Sequence, residues 1–280
     1  MAGMLYLVAT PIGNLEDMTY RAVRVLKEVD LIAAEDTRNS IKLLTHFDIH
    51  TPMTSYHEFN KYDKADYLVG EMLAGKNVAV ITDAGTPGIS DPGYELVVKA
   101  REAGIGVTAV PGCVAATTAL TISGLPTRRF VFEGFLPTEK KEMAQVLDRL
   151  KGETRTIIMY EAPHRLKKTL GILYDALGDR RICLCRELTK KHEEGRLSTM
   201  AELIAFYENN DPKGECVLVI DGVDERALKE KEQMDFMAMD IHDHMAFYEN
   251  QGIDHKEAMK LVAKDRGIGK RDVYQLLLDK

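Results

Sequence analysis

The sequence has no tryptophan, only four cysteines and no long apolar run. The cysteines form no CxxC pair, so neither a zinc site nor a disulfide framework is predicted, and we expect no bound metal. No apolar stretch approaches the ~20 residues needed to span a membrane. An apolar, strand-like stretch begins at residue 5, which leaves no room for a signal peptide. We therefore expect a cytoplasmic protein.

Charge is unevenly distributed along the 280 residues, whose formal net charge is −7. Residues 125–200 carry 16 basic and 11 acidic side chains, a net +5, whereas residues 1–124 carry a net −5 and residues 201–280 a net −7. A basic middle segment in an acidic chain is typical of a protein that meets a polyanion on one side. Uneven surface charge without a function explains the same pattern equally well.

The first 120 residues alternate short apolar runs with longer amphipathic stretches. Branched, apolar runs of this length are typical of strands buried on both faces. The alternation predicts an α/β fold with a mostly parallel sheet. The predicted strands are 5–9, 31–34, 53–56, 78–81 and 107–110, and the predicted helices are 19–27, 38–47, 62–73 and 94–103.

A second alternation follows the first, and a boundary is expected at residues 124–128. The predicted strands are 130–135, 156–160, 182–185 and 216–220, and the predicted helices are 139–150, 166–177 and 200–207. We therefore expect two α/β domains, 1–124 and 125–223, with a cleft between them, followed by a helical tail, 224–280.

The tail ends in a helix, a glycine turn and a second helix, over residues 256–265 and 270–278. A helix-turn-helix contact with nucleic acid would use Lys270 and Arg271 at the start of the last helix. A small helical appendage that packs on protein is the favoured interpretation. His242 and His244 lack further spaced ligands, so we predict no metal site there.

Residues 82–93 read TDAGTPGISDPG, a loop with three glycines, two prolines, two aspartates and no cation. Two other unusual loops, 10–15 and 111–115, also follow predicted strands, and in open α/β sheets ligands bind beyond the carboxyl ends of strands. The sequence contains neither GxxxxGK[ST] nor a GxGxxG after the first strand, and Asp83 and Asp91 would repel a pyrophosphate. A nucleoside-like, cationic ligand such as S-adenosylmethionine fits this loop better.

Several multi-residue motifs, in a fixed order, resemble those of the tetrapyrrole methylase superfamily. They are VATPIGNLEDMT (8–19), DAGTPGISDPG (83–93), VPG (110–112), YEAPHR (160–165), RELTKKHEE (186–194) and GECVLVI (214–220). The similarity runs from about residue 5 to 222 and is closest to the subgroup that methylates ribosomal RNA. Pro11 and Gly85-Thr86-Pro87 stand where the wider superfamily has a glycine-rich loop and Gly-Asp-Pro, as expected of that subgroup.

The resemblance implies two α/β domains with the cofactor in the cleft, and a homodimer. It implies methyl transfer from S-adenosylmethionine to the ribose 2′-hydroxyl of a cytidine in the decoding centre of 16S rRNA, within the small ribosomal subunit. The cofactor contacts carried over by motif are Pro11, Ile12, Ala84, Gly85, Thr86, Ile89, Val114, Ala115, Glu161 and Leu188. Ile12, Ile89 and Val114 are also explained as core residues at strand ends.

Abstraction of the hydroxyl proton calls for a general base, and Glu161 is the first choice among Glu161, His164, Asp91 and Lys190. An alternative role for Glu161 is to cap, or pair with, the helix that starts at 163–165. RNA contacts are expected from cations, which act independently of sequence. The candidates are Arg128, Arg129, Arg165, Lys168, Lys190 and Lys191, some of which are simply solvated surface.

Two other functions compete with rRNA methylation. One keeps the fold and cofactor but changes the acceptor to a tetrapyrrole or a modified histidine, which the basic middle segment disfavours. The other is a non-catalytic RNA-binding protein of ribosome assembly, which the intact loops disfavour because such a protein has little need of them.

Overall fold

The computed structural model describes residues 1–278, except the side chains of Ala227, Lys229, Lys231 and Glu232. The first of its two sheets is parallel and belongs to an α/β arrangement. Its five strands lie in the order β3-β2-β4-β1-β5, and every pair of neighbours is parallel. The strands are β1 (Met4–Val8), β2 (Leu31–Ala34), β3 (Met53–Ser55), β4 (Val78–Ile81) and β5 (Gly106–Val110). The helices are α1 (Tyr20–Glu28), α2 (Thr37–His46), α3 (Lys61–Leu73), α4 (Gly93–Glu102) and α5 (Ala115–Ile122).

Both faces of this sheet are covered, as an all-parallel sheet requires. Val8, Ile32 and Ile81 pack in one cluster with apolar residues of α1 and α2. Leu5 and Val80 pack in another with apolar residues of α3 and α4. The predicted α/β class and the alternation of strands and helices are confirmed.

The second sheet is mixed, with the order β6-β7-β10-β8-β9. β6 and β7 are parallel, whereas β7–β10, β10–β8 and β8–β9 are antiparallel. The strands are β6 (Phe130–Phe135), β7 (Thr156–Glu161), β8 (Arg181–Arg186), β9 (Glu194–Thr199) and β10 (Cys216–Ile220). The helices are α6 (Lys140–Lys151), α7 (Pro163–Leu177) and α8 (Met200–Glu208). β9 was not predicted, because its residues are polar apart from Leu197.

Contacts divide the chain into a larger unit, residues 1–148 and 155–221, which contains both sheets, and a smaller unit, residues 149–154 and 222–280. The smaller unit contains α9 (Glu225–Ala238), α10 (Ile241–Glu249), α11 (His255–Arg266) and α12 (Lys270–Leu278). The predicted helices at its end are present, and Gly267 ends α11 with the left-handed φ of 63° that favours glycine.

His244 is part of the core of the smaller unit. Its side chain is 0 % exposed and stacks on Phe236 with ring centroids 4.2 Å apart. Its Nδ1 accepts a hydrogen bond of 3.1 Å from Nε of Arg266. Burial and the nearby Arg266 charge lower the pKa of His244. These contacts give His244 a packing role. Among the side chains that the structure describes, no group of three or more histidine, cysteine, aspartate or glutamate residues is placed to hold a metal.

Within the same described residues, no helix has the length and apolar character required to cross a membrane.

Candidate active site

Three loops at the carboxyl edge of the first sheet are tied together by hydrogen bonds. They follow β1, β4 and β5, which are neighbours in the sheet. Thr10 N donates to Gly85 O at 2.9 Å, and Gly85 N donates to Thr10 O at 3.2 Å. Thr86 Oγ1 donates to Cys113 O at 2.9 Å. The loops at 10–15, 82–93 and 111–115 therefore form one continuous wall, as expected of the carboxyl ends of parallel strands.

The loop after β4 is held in shape by Asp91. Its carboxylate accepts hydrogen bonds from the main-chain N–H groups of Gly88 (2.8 Å), Ile89 (3.2 Å) and Gly93 (2.8 Å). The contact with Gly93, two residues on, is an Asx turn, and the other two bring the preceding residues onto the same carboxylate. Gly85 has a φ of 86°, a conformation that side chains with a Cβ rarely adopt. Asp91 is thus committed to loop structure, which argues against its candidacy as the general base.

A cavity of about 390 Å³ lies against this wall, within the larger unit. A volume of this size is typical of small-molecule sites. Its lining comprises Ile12, Glu35, Thr82, Asp83, Ala84, Gly85, Thr86, Ile89, Ser90, Asp91, Val114, Ala115, Phe135, Tyr160, Glu161, Ala162, Pro163, Glu215, Cys216 and Val217.

Eight of the ten predicted cofactor contacts line the cavity, and Pro11 and Leu188 do not. Leu188 is buried in a core cluster beside Ile12 and Ala116. Pro11 is buried in the first loop. The eight that line the cavity are Ile12, Ala84, Gly85, Thr86, Ile89, Val114, Ala115 and Glu161. The structure therefore brings together most of the residues expected from the motifs and gives Leu188 a packing role.

Glu161 lies at the end of β7, and both of its carboxylate oxygens have partners. Oε1 accepts from Ala162 N at 2.7 Å and lies 3.5 Å from Nε of Arg165. Oε2 accepts from Thr169 Oγ1 at 2.5 Å. The side chain is only 1 % exposed. These contacts favour the alternative interpretation, a partner for the start of α7, over the first-choice interpretation as general base.

Two of the six predicted RNA-binding cations are engaged inside the protein. Arg165 Nη2 donates to Leu136 O at 2.8 Å. Lys190 Nζ lies 3.0 Å from both Glu187 and Glu215. Burial opposes the charge of Lys190, but the hydrogen bonds to Glu215 and Glu187 outweigh it and raise the pKa of this lysine. An amine so paired is a poor base.

The other four predicted RNA-binding cations, Arg128, Arg129, Lys168 and Lys191, have exposed side chains. His164, the remaining candidate base, is also exposed, in the first turn of α7. These five residues stay predictions, since exposure alone distinguishes neither a contact nor a catalytic role from solvated surface.

Several lining residues were missed, chiefly on the second sheet. The β7–β10 register sets Cys216 opposite Glu161, which carries Glu215 to Val217 to the cavity. Tyr160 Oη accepts from Ala116 N at 3.2 Å, which joins β7 to α5. Such pairings depend on strand order, which the sequence does not display. Glu35 was also missed, although its place directly after the predicted strand 31–34 is a signal that could have found it.

The lining suits a cationic, nucleoside-like ligand. Among the residues named above as lining, five are acidic and none is lysine or arginine. The lining residues of the loop wall include Gly85, which has only main-chain groups to offer, and the apolar residues Ile12, Ile89 and Val114. A phosphate-bearing ligand would lack a counter-charge here, whereas a sulfonium would not. The residues present therefore fit S-adenosylmethionine.

Comparison with known proteins identifies the fold family to which the chain belongs. The family model described as Tetrapyrrole (Corrin/Porphyrin) Methylases matches residues 4–204. A solved diphthine synthase superposes with a TM-score of 0.63 at 11 % identity, covering 78 % of this chain and 89 % of that one. A uroporphyrin-III-C-methyltransferase from Thermus thermophilus superposes with a TM-score of 0.56 at 21 % identity, covering 78 % and 94 %. The fold is that of the tetrapyrrole methylases.

More similar relatives identify the family within this fold. A protein named Ribosomal RNA small subunit methyltransferase I from Halalkalibacterium halodurans is 49 % identical over 274 residues, covering 98 % of this chain and 94 % of that protein. One of the same name from Bacillus subtilis is 47 % identical over 272 residues, covering 97 % and 93 %. The chain belongs to the ribosomal RNA small subunit methyltransferase I family of tetrapyrrole methylases, and it is a methyltransferase.

Proposed function

We propose that this protein methylates ribosomal RNA of the small subunit with S-adenosylmethionine as the donor, at the ribose 2′-oxygen of a decoding-centre cytidine, position 1402 of 16S rRNA. The names of its relatives, nearly half identical over almost the whole chain, support the rRNA substrate. The position and the 2′-oxygen rest on the motif resemblance.

The observation that carries the proposal is the cavity, whose lining residues include five acidic ones and no lysine or arginine. When bound there, S-adenosylmethionine supplies a methyl group on a positively charged sulfur. Main-chain groups of Ala84, Gly85 and Thr86 would hold it, with Ile12, Ile89 and Val114 as apolar contacts. Holding two reacting groups in line supplies effective molarities of roughly 10⁵–10⁸ M, so positioning accounts for much of the acceleration.

The RNA would be held by exposed cations. Arg128, Arg129, Lys168 and Lys191 belong to the basic middle segment, which carries a net charge of +5. Contacts to phosphate position a protein on RNA but carry no sequence information. A folded small subunit would therefore be selected through its shape as well. We also propose the homodimer that the resemblance implies, which sedimentation equilibrium tests.

The test uses purified protein, S-adenosylmethionine labelled in its methyl group, and small subunits from cells that lack this modification. We expect label in 16S rRNA, and nuclease digestion followed by mass spectrometry should place it on one 2′-O-methylcytidine. A cofactor that binds without any transfer to rRNA would contradict the proposal. Transfer to a base, or to another nucleotide, would keep the rRNA substrate and overturn the finer assignment.

A further inference from the structure

Five carboxylates line the cavity, and three of them are committed to other contacts. Asp91 accepts three main-chain N–H groups, and both oxygens of Glu161 are occupied. Glu215 pairs with Lys190 at 3.0 Å, and its side chain is 75 % exposed. A base needs an oxygen that is free to accept the proton of its substrate, which makes Asp91 and Glu161 poor candidates. Glu215 has one oxygen on Lys190 and a side chain open to solvent, so it is a weaker candidate than a carboxylate shielded within the cavity.

Asp83 and Glu35 remain, and their contacts differ. One oxygen of Asp83 accepts from Asp36 N at 3.3 Å, and the other accepts from Asn39 Nδ2 at 3.3 Å. Glu35 accepts only a long contact of 3.4 Å, from Asp83 N to Oε2, among the hydrogen bonds of residues 1–278. Glu35 is therefore the cavity carboxylate with the most capacity left to bind a substrate proton.

The position of Glu35 suits contact with the acceptor rather than the cofactor. It directly follows β2, and Ala34 is in register with Ile81 of β4. Glu35 thus lies beside the start of the 82–93 loop, on the side of β4 away from β1 and β5. The three loops proposed to hold the cofactor follow β4, β1 and β5. The Glu35 carboxylate therefore lies next to the wall formed by these three loops but is not part of it.

The surroundings of Glu35 also favour basicity. Burial raises the pKa of its carboxyl; the hydrogen bond from Asp83 N opposes this, the charges of Asp83 and Asp91 reinforce it, and His57 opposes it weakly. These are the charged groups that face it from the segments after β3 and β4. A carboxylate with a raised pKa accepts a proton more readily at neutral pH than an ordinary one does.

We propose that Glu35 is the general base that takes the proton from the ribose hydroxyl in the proposed methyl transfer. The inference rests on the proposed function. The 2′-oxygen forms a bond to the methyl carbon as the carbon–sulfur bond breaks, and that electron pair stays on sulfur, which leaves S-adenosylhomocysteine. The hydroxyl proton passes to a Glu35 oxygen and then to water. General-base catalysis of this kind contributes about 10²–10⁴-fold.

The experiment compares the wild type with Glu35→Gln and Glu35→Asp, with Glu102→Gln on the exposed end of α4 as the matched control. Single-turnover transfer to unmodified small subunits is measured across pH, and affinity for S-adenosylmethionine is measured by calorimetry. We expect Glu35→Gln to bind the cofactor like the wild type but to transfer about 10²–10⁴-fold more slowly. The fall of the wild-type rate on acidification should disappear in Glu35→Gln, persist at a lower rate in Glu35→Asp, and remain unchanged in Glu102→Gln.

The two proposals fail in different ways. If the wild type transfers no methyl group to rRNA, the proposed function is wrong and the role of Glu35 is withdrawn with it. If the wild type is active and Glu35→Gln keeps its rate and pH profile, only the role of Glu35 is wrong. Loss of cofactor affinity in Glu35→Gln would make Glu35 a ligand contact and would also overturn its role as base.

Discussion

The two sides of the cavity are built on different principles. The side from the first sheet consists of loops fixed through their main-chain groups, either to each other, as in the reciprocal pair between Thr10 and Gly85, or to the carboxylate of Asp91. The side from the second sheet is fixed by side chains, through Glu161 with Thr169 and through Glu215 with Lys190. A wall fixed through main-chain groups depends on particular backbone conformations, whereas a wall fixed by side chains depends on the partners of those side chains. We therefore expect substitutions on the first side to act on cofactor binding and substitutions on the second side to act on stability.

The largest effect should come from Gly85→Val, on the first side. Gly85 has a φ of 86°, and a Cβ there would lie 3.4 Å from Cys113 O and from Ile12 Cγ2, so the branches of valine would disturb the wall. We expect no measurable binding of S-adenosylmethionine by calorimetry in a protein that still folds.

Gly104→Val is the matched control. Its φ is 73° with open space around the added Cβ, in the turn before β5. Forcing a side chain into such a conformation costs about 1–3 kcal/mol at either site. We expect both variants to lose similar stability and only Gly85→Val to lose cofactor binding. Equal binding of S-adenosylmethionine by the two variants would refute the role of the loop wall.

On the second side, Glu161→Ala should act on stability. It leaves the hydroxyl of Thr169 and the guanidinium of Arg165 without their shared partner. Such a loss costs about 1–3 kcal/mol in urea unfolding. Thr169→Val should cost less, and the double variant should lose less than the sum, because the two side chains share one interaction. Strictly additive losses would argue against this network.

Two neighbouring lysines, one exposed and one paired within the protein, allow the proposed RNA contacts to be tested. Lys191 is exposed, whereas Lys190 is paired with Glu187 and Glu215. Lys191→Ala should weaken binding to small subunits and lower the slope of log affinity against log salt by about 1. Lys190→Ala should leave that slope unchanged and lower the midpoint of urea unfolding. The reverse pattern would restore Lys190 as an RNA contact.

The smallest effect is on stability, at Glu35. Because the pKa of Glu35 is raised in the folded protein, its stabilising contribution is present below the unfolded pKa and lost as pH rises. Glu35→Gln should therefore melt above the wild type at about pH 7, with a smaller difference at about pH 4, where the wild-type carboxyl is largely protonated. A variant that melts below the wild type at neutral pH would show that the charge stabilises the fold.

The same contrast explains what could be predicted from the sequence. Apolar runs report directly on the backbone, so the parallel sheet followed from them, whereas seven cavity residues of its wall were implied by the motif resemblance. The roles of Glu161, Arg165 and Lys190 depended on partners up to 29 residues away, across turns whose geometry no local pattern reveals. β9 was missed for a related reason: it pairs along one edge only, and its polar residues give no apolar signal.

The most direct test of the central claim is a crystal structure of the protein with S-adenosylhomocysteine. We predict that the ligand lies in the cavity, that most of its polar contacts are made by main-chain atoms of residues 82–93 and 111–115, and that Glu35 faces the side of the sulfur from which the methyl group leaves, without a hydrogen bond to the ligand. A ligand bound elsewhere on the protein, or held in the cavity chiefly by side chains of the second sheet, would contradict it.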